Sequence, residues 1–297
     1  MMNFDEIYNK IYDENFEELN NYHKKQIMLQ IIIAVLLFLI YVIISLYIPY
    51  MFFIGFICYI ILTLTCFTLF RSKKYIQCFK KNVISSILKN YNSNFIFNAQ
   101  EEIPYADYLE ADFEQFFDFY HSEDCISGKL QEICDFKMAE VITEKKIQDD
   151  NGKNSYSTIF NGLFAKIDFI KDIPCNIQIR EDSRLNTNSL PKLEMDSIEF
   201  EKLYNVYTDN SIICMQLFTS DIMQMLTDFN LEYKIFPEIT IKQNNLYLRL
   251  KLKKGIFEPK LFKKVLDYKE IQYNYLFINS IMNLCNAFLK NILETNL

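Results

Sequence analysis

Hydrophobic residues are distributed unevenly along the chain, and one apolar block gives the first prediction. No Asp, Glu, Lys, Arg or His occurs in the 45 positions from Gln26 to Phe70. A helix that crosses a bilayer needs about 20 apolar residues. The block therefore predicts a transmembrane helical hairpin over residues 26–70, with spans at about 26–48 and 51–70. Pro49, which lacks a backbone N–H, marks the turn between the spans.

Basic residues flank the block on both sides, which predicts its orientation. Lys24 and Lys25 precede the first span, and the second is followed by Arg71, Lys73, Lys74, Lys80 and Lys81. Positive charge is enriched at cytoplasmic ends. We expect a multi-pass protein of the cytoplasmic (inner) membrane with both termini in the cytoplasm. No ionisable residue lies inside the spans, so an anchor is favoured over a transport path.

The segment before the block predicts an N-terminal amphipathic cytoplasmic helix over residues 1–25. Its apolar positions recur at helical spacing between acidic residues: Phe4, Ile7, Tyr8, Ile11, Tyr12, Phe16 and Leu19. An acidic polar face argues against lying on anionic lipid. We expect the apolar stripe to pack on the cytoplasmic domain or on a partner.

Two segments of opposite charge follow the block. Six basic residues and no acidic ones lie in Arg71–Lys89, whereas nine acidic residues and no Lys or Arg lie in Glu101–Asp124. The basic segment can be interpreted as a polybasic strip that binds anionic lipid headgroups or as a helix that leaves the membrane. The second interpretation is favoured because topology alone requires positive flanks, and it predicts an acidic helix from about Pro104.

Beyond residue 126 the apolar period changes to that of strands. Ala139–Ile147 and Ser155–Phe169 flank Asp149-Asp150-Asn151-Gly152, which predicts a β-hairpin because Asn and Gly tolerate positive φ. A further strand is predicted where Cys175, Ile177 and Ile179 alternate with polar residues. Later in the chain, Leu246, Leu248, Leu250 and Leu252 alternate with Tyr247, Arg249, Lys251 and Lys253, which predicts a half-buried strand with a solvated basic face.

Helices are predicted between and after these strands. Asp196-Ser197-Ile198-Glu199 resembles a capping box that opens a helix through Tyr207, and a short helix is expected near Ser220–Phe229. Near the C-terminus apolar residues recur with 4-3 spacing: Ile271, Tyr275, Ile278, Met282, Cys285, Leu289 and Ile292. Packing on the domain core is favoured over a coiled coil or a third span. Residues 71–297 are thus predicted to form a cytoplasmic α+β domain with an antiparallel sheet and flanking helices.

Composition excludes several function classes. The formal net charge is −7, and an acidic domain argues against nucleic-acid binding. The eight cysteines form no C-x-x-C pair and there are two histidines, so no zinc-site spacing is present and reduced thiols are expected. The five glycines are too far apart for a phosphate-binding loop.

No catalytic, cofactor-binding or metal residue is predicted. His121 stands beside Ser122, Glu123 and Asp124, but adjacency in sequence does not establish a site, and an exposed histidine is favoured. A metal-binding set would require four distant carboxylates to converge: Asp168, Asp196, Glu199 and Asp209. No i, i+3 or i, i+4 pair of Glu and His fixes a ligand face, so caps and surface charges are favoured.

Several motifs from Asp124 onward resemble the bacterial membrane proteins of domain-of-unknown-function family 3137. The matching stretches are Asp124-Cys125-Ile126-Ser127-Gly128, Thr158-Ile159-Phe160-Asn161-Gly162-Leu163-Phe164 with Asp168-Phe169, Asp196 to Asp209, and Phe257-Glu258-Pro259. The chain departs from the family at Ile213-Cys214-Met215 and Phe218-Thr219-Ser220, where the family carries Glu-Ala-Arg and Leu-Thr-Pro. The resemblance implies architecture and membrane location, and no activity. Gly162 is expected to permit a bulge or positive φ.

The leading hypothesis is a membrane-anchored cytoplasmic domain that binds a protein partner or the inner lipid surface. The alternative is a membrane-tethered enzyme with a metal site built from the four carboxylates. A third possibility is an oligomeric scaffold held together by the C-terminal helix.

Overall fold

The computed structural model describes residues 3–48, 52–69, 72–114, 116–148, 152–182, 190–252, 257–259 and 263–295. The chain divides into two compact units. Residues 2–86 with 258–271 form the N-terminal unit, and residues 87–257 with 272–297 form the sheet unit. The predicted turn at Pro49 and the hairpin turn at residues 149–151 lie outside the described residues.

Helices make up most of the N-terminal unit. Helix α1 spans Phe4–Tyr47 and so joins the predicted amphipathic segment and the predicted first span without a break. Helix α2 spans Phe52–Leu69 and α3 spans Lys73–Phe79, where the Ser72 side chain accepts a hydrogen bond from the Tyr75 amide. A π-helical segment, Lys80–Ile84, leads into α4, Ser85–Tyr91. The helical prediction for the basic segment is confirmed over residues 73–91.

The apolar stripe of α1 before residue 20 packs inside the N-terminal unit. Ile7, Ile11 and Leu19 are buried. The Tyr8 hydroxyl donates a hydrogen bond to the Leu266 carbonyl at 2.9 Å, and the Tyr8 ring lies 4.9 Å from that of Tyr268. The stripe therefore packs on the chain's own residues, as its pattern predicts.

Helices α1 and α2 contact each other through aromatic and polar side chains. The Tyr41 ring lies 5.9 Å from Phe52 and 6.0 Å from Tyr59. The Gln30 amide donates to the Phe67 carbonyl at 3.4 Å. By length and composition α1 could cross a membrane, and only 11% of its most apolar 18-residue stretch is buried. The apolar stretch of α2, Phe52–Phe67, is shorter.

Among its described residues, the sheet unit contains seven antiparallel strands. They are β1 Ile96–Asn98, β2 Phe119–Leu130, β3 Cys134–Gln148, β4 Asn154–Glu181, β5 Lys192–Leu193, β6 Tyr204–Thr208 and β7 Pro237–Lys251. The order is β1-β2-β3-β4-β6-β5, and β7 also pairs with β4. The 28-residue β4 is the central strand, because β3 and then β6 pair along one edge while β7 pairs along the other.

The predicted hairpin is confirmed, since β3 and β4 pair down to Gln148 opposite Asn154. Gly152 has a φ of 77°, which suits its place beside the turn. Gly162 differs from the expectation of a bulge or positive φ, because it pairs in register with Val141 and Lys251 and its φ is not positive. A Cβ added at Gly162 would lie 2.0 Å from the Leu250 carbonyl oxygen. Its role is therefore to let the β7 backbone approach closely.

Two predicted helices are shorter than expected because strand pairing takes over. Helix α5 covers only Tyr105–Glu110, and from Phe119 onward the acidic segment forms β2, where Phe119 pairs with Glu144. Helix α6 covers Ile198–Glu201 and its N-cap is Ser197, not Asp196. The predicted continuation through Tyr207 is wrong, because residues 204–208 form β6, paired on both edges.

The described residues of the sheet unit form three further helices: α7 Ser211–Leu217, α8 Ser220–Tyr233 and α9 Tyr268–Glu294, whose first residues lie in the N-terminal unit. Phe288 of α9 packs on Phe218 at 5.4 Å, and Phe277 packs on Phe229 at 5.6 Å. Half of the most apolar window of α9 is buried. Packing of α9 on the domain is thus confirmed, although its length and composition also suit a membrane span.

Candidate functional site

The four carboxylates singled out in the sequence do not form a cluster. Asp168 pairs with Lys166 at 3.2 Å, and Asp209 accepts hydrogen bonds from the backbone and side-chain amides of Asn176 at 2.8 and 2.6 Å. Asp196 and Glu199 are exposed. None of the four belongs to the metal-compatible group found among the described residues. They act as surface charges and local hydrogen-bond partners.

That metal-compatible group is Glu123, Asp124 and Glu140, whose oxygens lie within 4.8 Å of one another. Glu123 pairs with Glu140 across β2 and β3, just before a register shift, and Asp124 has a φ of 58°. The bulge thus places three acids together on neighbouring strands. His121 lies beside them as an exposed residue, with Nε2 3.7 Å from a Glu123 oxygen. Acidic groups of this kind are common without an ion.

A buried charge network lies beneath the segment 108–114 and is centred on Arg249. The Arg249 side chain is 0% exposed; its Nε donates to Glu238 at 2.7 Å and its Nη1 to Glu114 at 2.8 Å. Glu114 also accepts from the hydroxyls of Thr143 at 2.8 Å and Tyr108 at 3.3 Å. Burial lowers the pKa of Arg249, but the two carboxylates outweigh it, so the net shift is upward.

A second arginine extends this network. Arg180 donates to the carbonyls of Ile239 at 2.8 Å and Asp112 at 3.3 Å. The guanidinium carbons of Arg180 and Arg249 each lie 4.6 Å from the centre of the Phe113 ring. Cation–π contacts of this kind strengthen when they are shielded from water. Together these bonds fasten residues 112–114 onto β4 and β7, so the network holds the fold together.

The basic face predicted for β7 is therefore wrong at Arg249. Lys251, two residues further along, is exposed and fits the prediction, while Lys253 lies outside the described residues. The alternation of Leu and basic residues is the same for an exposed and a buried strand. Only the acidic partners distinguish the two cases, and one of them, Glu114, lies 135 residues away in the chain.

An open groove of about 740 Å³ runs along the N-terminal part of α1. One wall is formed by α1 residues spaced at helical intervals: Tyr8, Tyr12, Phe16, Asn20 and His23. The other wall is formed by residues 264–269. The Tyr12 and Phe16 rings stack at 4.5 Å with 17° between their planes. The groove therefore has an aromatic floor along one helix.

The rim of the groove carries more positive than negative charge. Lys264 and Lys269 line it, and among the described residues no carboxylate lies within ion-pair distance of either one. Asp267 also lines it, but accepts from the Glu270 amide at 3.1 Å and lies 3.9 Å from Lys263. Burial, aided by Tyr12 and Asp267, raises the pKa of Tyr8, so that phenol stays neutral near pH 7. The arrangement suits an apolar ligand with an anionic group.

Exposed apolar side chains cover α1 beyond residue 26 and much of α2. Leu36 is 55% exposed and Ile57 is 57% exposed. The sequence predicts this surface directly, because charges are absent there. The aromatic groove was not predicted as a site, although the 4-residue spacing of Tyr8, Tyr12 and Phe16 is visible in the sequence.

Comparisons with known proteins give a family and no activity. The family described as "Protein of unknown function (DUF3137)" matches residues 158–290, and the predicted family resemblance is confirmed there. No curated protein matches. The crystal structure of the mycobacterial trehalose monomycolate transport factor A, TtfA, is similar at 9% identity with a TM-score of 0.36 over 70% of this chain and 95% of that one. A similarity of this size supports neither a shared fold nor a shared function. Residues 158–290 of this chain thus match the DUF3137 family, whose function is unknown.

Proposed function

We propose that this protein is a multi-pass protein of the cytoplasmic (inner) membrane whose two-helix hairpin anchors an interaction domain at the cytoplasmic surface. The residues of α1 from Gln26 onward and those of α2 form the hairpin, and both termini lie in the cytoplasm. Residues 71–297 act there by binding a protein partner or the inner lipid surface. The observation that carries the proposal is the apolar surface that α1 and α2 expose.

The size of that surface argues for a bilayer around it. Soluble monomers rarely expose apolar patches beyond a few hundred Å², whereas exposed Ile, Leu, Val and Phe side chains recur on α1 from Ile27 to Leu46 and on α2 from Phe52 to Leu64. A helix satisfies its backbone hydrogen bonds internally, as hydrocarbon requires. The hydrogen bond from Gln30 to the Phe67 carbonyl gives the polar Gln30 side chain a partner inside the helix pair.

The flanking charges support the orientation. Lys24 and Lys25 stand immediately before the apolar stretch, and Lys73 and Lys74 open α3 after it. Positive charge on both flanks is typical of cytoplasmic ends. A reporter fused after Leu297 should be active in the cytoplasm; activity only outside the membrane would contradict the orientation.

A charge substitution in the hairpin tests the anchor. Leu36 is exposed, so in a soluble protein Leu36→Arg would be harmless. In a bilayer, an arginine at a helix centre costs about 3 kcal/mol. We expect Leu36→Arg to lower the amount of protein that resists alkaline extraction from membranes.

Ile212→Arg is the matched control, since Ile212 is also exposed and apolar but lies on α7 of the sheet unit. It should leave membrane retention unchanged. Equal retention of the wild type and both variants, or release of all three by alkaline extraction, would contradict the proposal.

The interaction role has a separate test. Crosslinking in intact membranes, followed by purification of the full chain, should recover a reproducible partner or show lipid contact by the sheet unit. Recovery of neither would contradict that role. The metal-enzyme alternative lacks its proposed ligand set, because Asp168, Asp196, Glu199 and Asp209 form no metal-compatible group among the described residues.

A further inference from the structure

We propose that the aromatic groove on α1 binds one anionic phospholipid, with an acyl chain on the aromatic floor and the anionic headgroup at the lysine rim. The inference rests on the proposed membrane anchor, since the bilayer is the source of the ligand. It assigns a ligand class to the groove between α1 and residues 264–269.

The dimensions of the groove fit such a ligand. Its volume of about 740 Å³ falls within the roughly 300–1,000 Å³ typical of small-molecule sites. From Tyr8 to His23 the helix rises about 22 Å at 1.5 Å per residue, which matches the length of an extended acyl chain. The groove is thus long enough for one acyl chain.

The floor is apolar and is held in place by its own contacts. The Tyr8 and Tyr12 rings lie 6.0 Å apart, and Tyr12 stacks on Phe16. The Tyr8 hydroxyl is bound to the Leu266 carbonyl and that of Tyr268 to Asp5 at 2.6 Å. With these hydroxyls engaged, the rings present carbon surfaces, which favour hydrocarbon over water.

The charge of the rim selects the headgroup. Lys264 and Lys269 line the groove and lack a carboxylate partner among the described residues, while Asp267 is engaged by the Glu270 amide and by Lys263. An ammonium group attracts a lipid phosphate by about 1 kcal/mol near the membrane surface. A net anionic lipid is therefore preferred over a zwitterionic one.

The location gives the ligand a source. The groove ends at His23, one helical turn before Ile27, where the exposed apolar surface of α1 begins. A lipid can therefore pass from the bilayer along a single helix into the groove.

The absence of tryptophan from the chain permits a direct test. Tyr12→Trp places a single tryptophan in the groove, and Glu14→Trp places one about 200° around the same helix, in solvent. Phe38→Trp places one in the exposed apolar part of α1. Each full-length variant is reconstituted into vesicles of phosphatidylcholine and phosphatidylglycerol in which only one of the two lipids carries brominated chains.

Bromine quenches tryptophan at short range, and Tyr12 lies about 22 Å along the helix from Ile27, so bilayer chains do not reach it. We expect brominated phosphatidylglycerol to quench Tyr12→Trp several-fold more than brominated phosphatidylcholine does. Glu14→Trp should be quenched by neither lipid, and Phe38→Trp by both. Phe16→Trp repeats the test if Tyr12→Trp does not fold.

The outcomes separate the two proposals. Suppose that Phe38→Trp is quenched. If the groove tryptophan is then not quenched, or is quenched equally by the two lipids, the lipid site is wrong and the anchor stands. If Phe38→Trp is not quenched, the anchor itself is wrong.

Charge reversal tests the rim. In the Tyr12→Trp background, Lys264→Glu with Lys269→Glu should raise the phosphatidylglycerol fraction needed for half-maximal quenching about tenfold. Lys145→Glu with Lys146→Glu, on β3 of the sheet unit, is the matched control and should have no effect. Equal half-maximal fractions for both double variants would overturn the assignment of the headgroup to Lys264 and Lys269.

Discussion

Arg249→Met should unfold the sheet unit at a markedly lower temperature, because it leaves two carboxylates buried without their cation. The side chains of Glu114 and Glu238 are 8% and 4% exposed. Removing one partner of a buried pair costs about 3–5 kcal/mol. Loss of the contact with the Phe113 ring adds about 0.5–2 kcal/mol.

We take about 4 kcal/mol as the expected loss in the free energy of unfolding. For a domain of this size each kcal/mol shifts Tm by about 2–4 °C, so Tm should fall by about 12 °C. Cysteines offer a direct assay, since five are buried in the sheet unit: Cys125, Cys134, Cys175, Cys214 and Cys285. A thiol-reactive fluorescent dye reports their exposure as the detergent-solubilised protein is heated.

Lys251→Met is the matched control, because Lys251 lies on the same strand two residues away and is exposed. Its effect should stay within about 0.5 kcal/mol. Adding Glu238→Leu to Arg249→Met removes one stranded carboxylate and should recover part of the loss. A fall of less than about 3 °C for Arg249→Met, or a further fall in the double variant, would refute the role given to the network.

A glycine substitution and a change of pH test the packing. Gly162→Ala should lower the stability of the sheet unit by about 1–3 kcal/mol or more, because the added Cβ would lie 2.0 Å from the Leu250 carbonyl oxygen. Gly55→Ala should have a small effect, because its Cβ would lie 3.4 Å from its nearest neighbour, and equal Tm values for the two variants would contradict the close approach at Gly162. Burial raises the pKa of Cys214 and Cys285 to about 12 from 9.0, so the folded state favours the protonated thiols. The contribution of these two thiols to the free energy of unfolding is therefore fully present below about pH 9 and is lost as pH rises toward 12. A urea midpoint that stays constant from pH 8 to 11 would contradict this prediction.

Local sequence patterns predicted those elements whose signals are short-range. The hairpin of β3 and β4 follows from alternation around Asn151-Gly152, and α9 follows from the 4-3 spacing of its apolar residues. The apolar block predicted the exposed surfaces of α1 and α2. In each case the residues that determine the element are neighbours in the chain.

Elements that depend on distant partners were predicted less well. Residues 204–208 look helical after a capping motif, yet they form β6 because β4 and β5 pair with it on both edges. The acidic segment becomes a strand from Phe119 for the same reason, since β3 supplies its hydrogen bonds. Pairing over long separations overrides local preference.

The candidate sites divide in the same way. The sequence by itself determined the membrane-sized apolar block, the acidic balance and the lack of metal-ligand spacing, because composition and periodicity carry that information directly. Only the tertiary structure decided that Arg249 is buried between Glu114 and Glu238, and that residues 264–269 form a groove with Tyr8, Tyr12 and Phe16. Glu238 and Arg249 lie 11 residues apart on one strand, but the Glu114–Arg249 pair joins residues 135 positions apart and the Tyr8–Leu266 contact in the groove joins residues 258 positions apart. No local pattern records which distant segments will meet.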